Sequence, residues 1–362
     1  MEDTGWPAGW IYGCLSLSIL LSGALAPFVG RWIHRTGGAT LVRSSGMLIG
    51  LGLMVLALAP ALPIFVGGWG IIGIGMACGL YDALFATLAR QYGASARRII
   101  VQITLIAGLC TTVTWPLLSA LIQLVGWRLT CGLYGLVLWL TIWPLTAVGL
   151  ARPRPDDGPP PPASAPAPGP PPPMDRVLYR LLAVHWTLGA SMMTVMSVQL
   201  LPILQAKGIA VAAALGVSAL VGPCQIGIRG LEALRPPHHP IGSAVGSAAL
   251  TAAGCGLLLG HPALAVGGVV CYSLGNGLRT ILRGTLPLAL FGAQRYPIVL
   301  GSLAAPALTA QAATPLATAY LTQRFGVGAV LAGLMVGSLL NLAVTLAMQA
   351  RLRQVAPATS NG

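Results

Sequence analysis

Residues 79–88 read GLYDALFATL, and residues 277–286 read GLRTILRGTL. Both stretches fit the pattern G-L-x-x-x-L-x-x-T-L at an offset of 198 residues, and each closes a long apolar segment. The first carries Asp82, whereas the second carries Arg279 and Arg283. The match predicts a chain built from two related halves, in which corresponding helices hold a carboxylate and two arginines.

The composition around these stretches is typical of a membrane protein. Of the 362 residues, 56% are hydrophobic and 7% are charged, and a soluble domain of this size needs far more surface charge. One bilayer crossing needs roughly 20 apolar residues, so the sequence predicts an all-α membrane protein with eleven spans. The predicted spans are residues 8–29, 40–59, 62–89, 98–124, 128–151, 176–204, 210–228, 241–259, 263–288, 297–322 and 326–349.

The net charge of +13 indicates orientation in the membrane and argues against a nucleic-acid partner. Arginines follow every second predicted span, with Arg229 and Arg235 counted after the seventh, and the opposite side holds Arg128, Lys207 and Arg324. Cytoplasmic loops collect Lys and Arg. We therefore expect loops 30–40 and 90–97 and the C-terminus to be cytoplasmic, in a multi-pass protein of the cytoplasmic (inner) membrane.

A proline-rich segment divides the chain. Residues 152–174 contain twelve of the 29 prolines, and such a segment predicts an extended cytoplasmic linker rather than a folded core. A ligand for a proline-reading partner is the alternative interpretation. The expected organisation is an N-terminal bundle of five spans over 1–151, the linker, and a C-terminal bundle of six spans over 175–362.

The repeat extends beyond the two opening stretches, and it exposes a missing element. Pro116 corresponds to Pro315 at an offset of 199, and Pro27 to Pro223 at an offset of 196. The first half has five predicted spans and the second has six. Subtracting 198 from span 176–204 places its counterpart almost wholly before Met1, so we expect a late choice of start codon or a degraded gene.

Residues 30–37, GRWIHRTG, resemble the signature that follows the second helix of the major facilitator superfamily, G-x-x-x-D-R/K-x-G. Gly30, Arg35 and Gly37 match, and His34 stands where the family has Asp. With the charge pattern and the repeat, the chain resembles a secondary transporter of this family that lacks its first helix. The resemblance implies two bundles around a central cavity that alternate in access. The family's loop Asp helps to lock the outward-facing state, so His34 puts that lock in doubt.

Asp82 is the one carboxylate inside a predicted span. A charge there costs about 2.5–3.5 kcal/mol on insertion scales, so a partner or water should face it. Three interpretations stay open: a gating pair with an arginine of the other half, a fixed pair with Arg31 or Arg35, and a proton-coupling carboxylate. Tyr81 could donate a hydrogen bond beside it or anchor the helix at the interface.

Arg279 and Arg283 lie one helical turn apart and share a face. Each could bind an anionic substrate through two hydrogen bonds, pair with Asp82, or extend towards the membrane surface. Two deep arginines against one acid favour an organic anion as substrate. His185 is interpreted as a packing or hydrogen-bonding residue, with a proton carrier as the alternative. Further candidates for the substrate cavity are Trp115, Gln102, His185, Gln199, Gln225, Asn276 and Gln311.

No enzyme signature is visible in the sequence. Lys207 is the only lysine, so a G-x-x-x-x-G-K-S/T phosphate loop is excluded, and the seven cysteines lack metal spacing. The sequence predicts a secondary active transporter without cofactor or metal, which acts as a monomer in lipid on a small molecule, with a proton as candidate coupling ion. The alternative is a transporter-like remnant without transport activity.

Overall fold

The computed structural model describes residue 6 and residues 8–150, 174–236 and 238–355. Only the backbone is described at a few helical positions, among them residue 115. Almost all of the predicted linker lies outside the described residues. The helices of the described part are α1 (Ala8–Thr36), α2 (Ala39–Leu58), α3 (Leu62–Gly79), α4 (Tyr81–Tyr92), α5 (Ala96–Gly149), α6 (Arg176–Ala206), α7 (Val211–Ala219), α8 (Val221–Leu234), α9 (Ile241–Leu259) and α10 (Ala265–Val355), with 3₁₀ turns at Gly93–Ser95 and Pro262–Leu264.

Two of these helices turn back on themselves at glycines. Helix α5 has 54 residues and leaves helical geometry at Gly126 (φ 79°, ψ 163°), and α10 has 91 residues and does so at Gly292 and at Gly326 (φ 78°, ψ 174°). A positive φ of this kind favours glycine. Tyr296 Oη donates to the Gly284 carbonyl oxygen at 2.7 Å, although a straight helix would separate the two residues by about 18 Å. Gly126 and Gly326 have nearly equal angles and occupy corresponding positions, as the repeat predicts.

The two halves also share a helix crossing. A Cβ atom on Gly68 of α3 would lie 3.2 Å from the carbonyl oxygen of Gly52 in α2. A Cβ atom on Gly268 of α10 would lie 3.1 Å from the carbonyl oxygen of Gly254 in α9. Small residues let membrane helices approach this closely, so each half is built around the same glycine contact.

The apolar helices are long enough to cross a bilayer. Among the described residues, eight helical stretches have the length and apolar composition for this, and the last of them, Pro262–Gln354, has 93 residues. Since one crossing needs roughly 20 residues, that stretch is long enough for several. The chain is an all-α multi-pass membrane protein, while the count of eleven spans stays a prediction. Helical structure continues through α8 to Leu234, beyond the end of the predicted span 210–228.

The hydrophobic cores show where the halves meet. The largest cluster joins Phe85 and Ile100 of the first half to Leu182 and Leu300 of the second. It lies at the end of the molecule that carries Arg35, Arg90, Arg98, Arg180 and Arg351, here called the basic end. At the opposite end each half has its own cluster, around Phe65 in the first and around Leu334 in the second. The halves are therefore closed against each other at the basic end.

Candidate functional site

A cavity of about 240 Å³ lies between the two halves. Tyr81 of α4 and Gly108 of α5 line it from the first half, and α6, α8 and α10 line it from the second. The second half supplies most of its polar groups, including three arginines. A larger cavity of about 640 Å³ lies at the basic end, beside His34 and Arg90.

Asp82 and Arg283 form an ion pair between the halves. The helix breaks at Leu80, which places Asp82 in the first turn of α4, where free backbone N–H groups and the helix dipole favour a carboxylate. Arg283 Nε donates to Asp82 Oδ1 at 2.9 Å, and Arg283 Nη2 donates to Oδ2 at 2.5 Å. The fixed pair with Arg31 or Arg35 is therefore wrong as an interpretation of Asp82.

This pair is largely withdrawn from solvent. The Asp82 side chain is 15% exposed and that of Arg283 is 26% exposed. The guanidinium also lies 5.8 Å from the ring centroid of Trp186, a buried residue of α6. The two-pronged geometry is the strong form of an Arg–carboxylate contact, so the pair links α4 firmly to α10.

Arg279 lies one turn away and has different partners. Its Nε and Nη2 both donate to Asn276 Oδ1, at 3.0 and 2.9 Å. Nη2 also contacts the sulfur of Met193 at 2.9 Å. Neither partner is charged, so Arg279 holds a full positive charge at the cavity wall without a described carboxylate beside it.

Arg229 is a third cavity arginine, although its position near the end of a predicted span suggested a loop arginine. It is 6% exposed. Its Nη2 donates to Gln225 Oε1 at 3.0 Å and to Thr280 Oγ1 at 3.1 Å. Its Nη1 donates to the Thr104 carbonyl oxygen at 3.1 Å, which ties α8 to α5 of the other half. The sequence signal that matches this position is the i, i+4 spacing of Gln225 and Arg229, which puts both on one helix face.

The other predicted cavity residues separate into two groups. Gln225 and Asn276 line the central cavity and accept hydrogen bonds from its arginines. His185 and Gln311 line a recess of about 20 Å³ on the far side of Arg279 and Arg283, where His185 Nδ1 lies 2.9 Å from Thr345 Oγ1.

Two predictions fall elsewhere. Gln102 is exposed, and it lines none of these spaces, because it lies on the outward side of α5. Gln199 is 7% exposed and also lies outside the cavities described above. The side chain of Trp115 lies outside the described residues.

The signature residues lie at the basic end, where α1 crosses α10. A Cβ atom on Gly30 would lie 2.5 Å from the Pro297 carbonyl oxygen, so only glycine allows this approach between the halves. Gly37 has a φ of 85° and ends α1. The carbonyl oxygens of His34 and Arg35 accept from the Arg90 guanidinium, so in this protein the backbone of the signature, rather than an Asp side chain, holds α4.

A second ion pair at the basic end caps α6. Asp175 Oδ1 accepts from the backbone N–H groups of Val177 and Leu178 at 2.9 and 3.2 Å. Arg351 Nε donates to Oδ2 at 3.0 Å. The N–H of Leu178 above all, with Arg351 and Val177, lowers the pKa of the Asp175 carboxyl. Within the described part of the chain, no group of three His, Cys, Asp or Glu residues is placed to hold a metal ion.

Known structures share this architecture. The human organic anion transporter MFSD10 (TETRAN) superposes with a TM-score of 0.72 at 17% identity, over 95% of this chain and 87% of that one. E. coli FucP, solved in the outward conformation, gives 0.73 at 13% identity over 97% and 92%. The proton:xylose symporter XylE gives 0.63 at 12% identity over 94% and 85%.

No family model and no curated protein sequence matches the chain. At identities this low the likeness concerns the fold. The chain therefore has the two-bundle fold of major facilitator superfamily transporters.

Proposed function

We propose that the protein is a secondary active transporter that moves a small organic anion across the cytoplasmic membrane by alternating access. The observation that carries the proposal is the cavity between the halves, whose arginines outnumber the described carboxylates near it. A protein with this fold presents its central cavity to one side at a time. MFSD10, one of the similar structures, is itself described as an organic anion transporter.

The closed basic end supports one stage of such a cycle. The Asp82–Arg283 pair, the Gly30 crossing and the Arg229–Thr104 hydrogen bond all join the halves there. With the basic end at the cytoplasm, as the arginine distribution predicts, this state faces outward. Release of the three contacts would be needed before the cavity opens inward.

Asp82 is also our candidate for proton coupling. A proton on Asp82 would remove the charge that holds Arg283, and so would weaken the link between α4 and α10. FucP and XylE are described as proton symporters. Coupling of this kind predicts that an inwardly directed proton gradient, with the outside more acidic, accelerates uptake by the native protein and not by an Asp82→Asn variant.

The test is uptake by purified protein in proteoliposomes. Carboxylates, phosphate esters and uncharged sugars are first screened by thermal stabilisation, because a ligand that binds only the native state raises its Tm. Radiolabelled hits are then assayed for uptake. We expect anions to be carried by the native protein and not by Arg279→Gln. Arg128→Gln, which removes a charge at the opposite end, serves as control. Carriage of sugars alone would contradict the proposal, and no stabilisation by any compound would favour the inactive remnant.

A further inference from the structure

The charges around the cavity do not balance. Three arginines line it, and one carboxylate, Asp82, contacts one of them. The other carboxylates of the described chain are engaged at the basic end: Asp175 binds Arg351, and Glu232 binds Arg235 and His238. Two positive charges, on Arg229 and Arg279, are therefore left without a described anionic partner.

Such charges are costly to keep in a membrane protein. Arginines inside a span are rare because they are costly, and such intramembrane charges mark substrate and ion pathways. Arg229 is almost fully buried, at 6% exposure, and its acceptors are neutral carbonyl, amide and hydroxyl oxygens. A bound group with two negative charges would compensate both arginines at once.

We propose that Arg229 and Arg279 form a single two-point site for a small organic dianion, such as a dicarboxylate. This inference rests on the proposed transport function and deepens it. The cavity of about 240 Å³ has room for several water molecules, and so for a small dicarboxylate in their place. Carboxylates accept charge-assisted hydrogen bonds that are about twice as strong as neutral ones.

Two amides position the arginines. Gln225 Oε1 accepts from Arg229, and Asn276 Oδ1 accepts from Arg279. Because each amide uses its oxygen for the guanidinium, its NH₂ group is the part that can donate to a ligand. Gln225 and Asn276 thus orient the two guanidiniums and offer further donors to an anion between them.

The site also touches the contact between the halves. Arg229 Nη1 donates to Thr104 O at 3.1 Å, and a Cβ atom on Gly108 would lie 2.7 Å from the same Nη1 atom. A carboxylate is a stronger acceptor than a backbone carbonyl, so a bound dianion would compete with Thr104 for this donor. Binding would then loosen one of the contacts that close the basic end.

The experiment compares the binding of ligands that have nearly the same size but different charge. Succinate carries two charges, succinamate one and succinamide none, and the dicarboxylates of three to six carbons test chain length. Binding to the native, full-length protein is measured by thermal shift and by calorimetry. We expect succinate or a neighbouring dicarboxylate to bind roughly ten- to hundredfold more tightly than its half-amide, as one charge-assisted contact warrants. The diamide should not bind detectably.

The variants assign that preference to residues. Arg229→Gln and Arg279→Gln should each bind dianion and half-amide within about twofold of each other. The ligand-free Tm of Arg279→Gln should not fall, because an uncompensated, partly buried charge has been removed, whereas Arg229→Gln also loses the hydrogen bond to Thr104 between the halves. Arg128→Gln should keep the native preference, since Arg128 binds the carbonyl oxygens of Ala57 and Ala59 at the opposite end.

The outcomes are distinguishable. Equal affinity of the native protein for dianion and half-amide would overturn the two-point site and leave an anion transporter. Binding of uncharged compounds only would overturn both proposals. Inorganic phosphate, tested alongside, separates two sources of the same chemistry. If phosphate binds tightly and both arginine variants lose that binding, the two-charge site is supported and its ligand is a phosphate group rather than a dicarboxylate.

Discussion

The substitution Asp82→Asn tests whether the pair between α4 and α10 controls access to the cavity. Asn keeps the size of Asp82 and one oxygen acceptor, but it loses the charge and the second strong hydrogen bond to Arg283. The pair joins the two halves at their closed end, so its loss should destabilise the closed state and leave the interior of each half unchanged.

The magnitude follows from burial. Removal of one partner from a buried ion pair costs about 3–5 kcal/mol. Here 15% of Asp82 and 26% of Arg283 remain exposed, and the Asn oxygen keeps one hydrogen bond, so we expect about 2–3 kcal/mol. Since about 1.4 kcal/mol is a factor of ten, the ratio of closed to open molecules should fall roughly 30- to 150-fold. Transport should fall strongly, because the cycle needs both states.

A cysteine at position 86 would report this change. Ala86 is 1% exposed and lies between the halves, close to Asp82 and Pro297. In a background without the seven native cysteines, a water-soluble maleimide should label Ala86→Cys slowly in the closed state and much faster when Asp82→Asn is added. Arg128→Gln is the control for loss of a charge elsewhere.

A double-mutant cycle completes this test. Arg283→Gln should open the basic end as Asp82→Asn does, and the double variant should be less harmful than the sum of the two, because both remove the same contact. Arg279→Gln should leave the labelling rate unchanged, since Arg279 binds Asn276 instead of Asp82. Equal labelling rates in native and Asp82→Asn proteins, or strictly additive losses of transport, would show that the gate lies elsewhere.

Three further predictions concern other parts of the molecule. Gly30→Ala should destabilise the closed basic end by about 1–3 kcal/mol, because the added Cβ atom would meet Pro297. Gly13→Ala should have no such effect, since nothing lies within 4 Å of its Cβ position. Equal labelling rates of Ala86→Cys in the two variants would contradict this prediction. Asp175→Ala should cost about 1 kcal/mol of stability at pH 7. The lowered pKa of Asp175 means that its contribution is present above about pH 4 and is lost as the pH falls through the folded value, so the Tm difference from the native protein should shrink in acid. A cysteine that replaces the exposed Ser95 should be labelled only from the cytoplasm. Labelling of that cysteine from outside intact cells would show that the orientation is the opposite of the predicted one. Ser95 is a better site than Gly93, whose φ of 56° favours glycine.

The sequence predicted the architecture well because the signals were long-range and repeated. The offset of 198 residues identified α4 and the first part of α10 as equivalent helices. Equivalent helices face each other across the axis that relates two halves, so a pair between Asp82 and an arginine of α10 was one of the three interpretations. Which arginine would form that pair was left open, because residues one turn apart share a face. In the structure Asp82 pairs with Arg283, whereas Arg279 donates its hydrogen bonds to Asn276.

The predicted spans end and begin around Gly126, Gly292 and Gly326, but composition does not identify the glycine at which each turn is made. Gly126, Gly292 and Gly326 lie among 47 glycines, and many of the others admit a close neighbour. Only the backbone angles distinguish a glycine that turns the chain from one that admits a neighbour. The same limit applies to Gln102, since an isolated polar residue in an apolar span does not indicate which side of the helix faces lipid.

Arg229 shows why the charge pattern alone missed half of the proposed site. Counting arginines at helix ends assumes that each reaches water, and Arg229 lies five residues before the end of α8, within reach of the surface for an extended side chain. In the structure it turns inward instead, because Gln225 and Thr280 supply acceptors and Gly108 leaves room for the guanidinium. No carboxylate was available to signal this in the sequence. An arginine that exchanges water for neutral acceptors loses part of its hydration free energy. The anion that we propose for the cavity would offset that loss each time it binds.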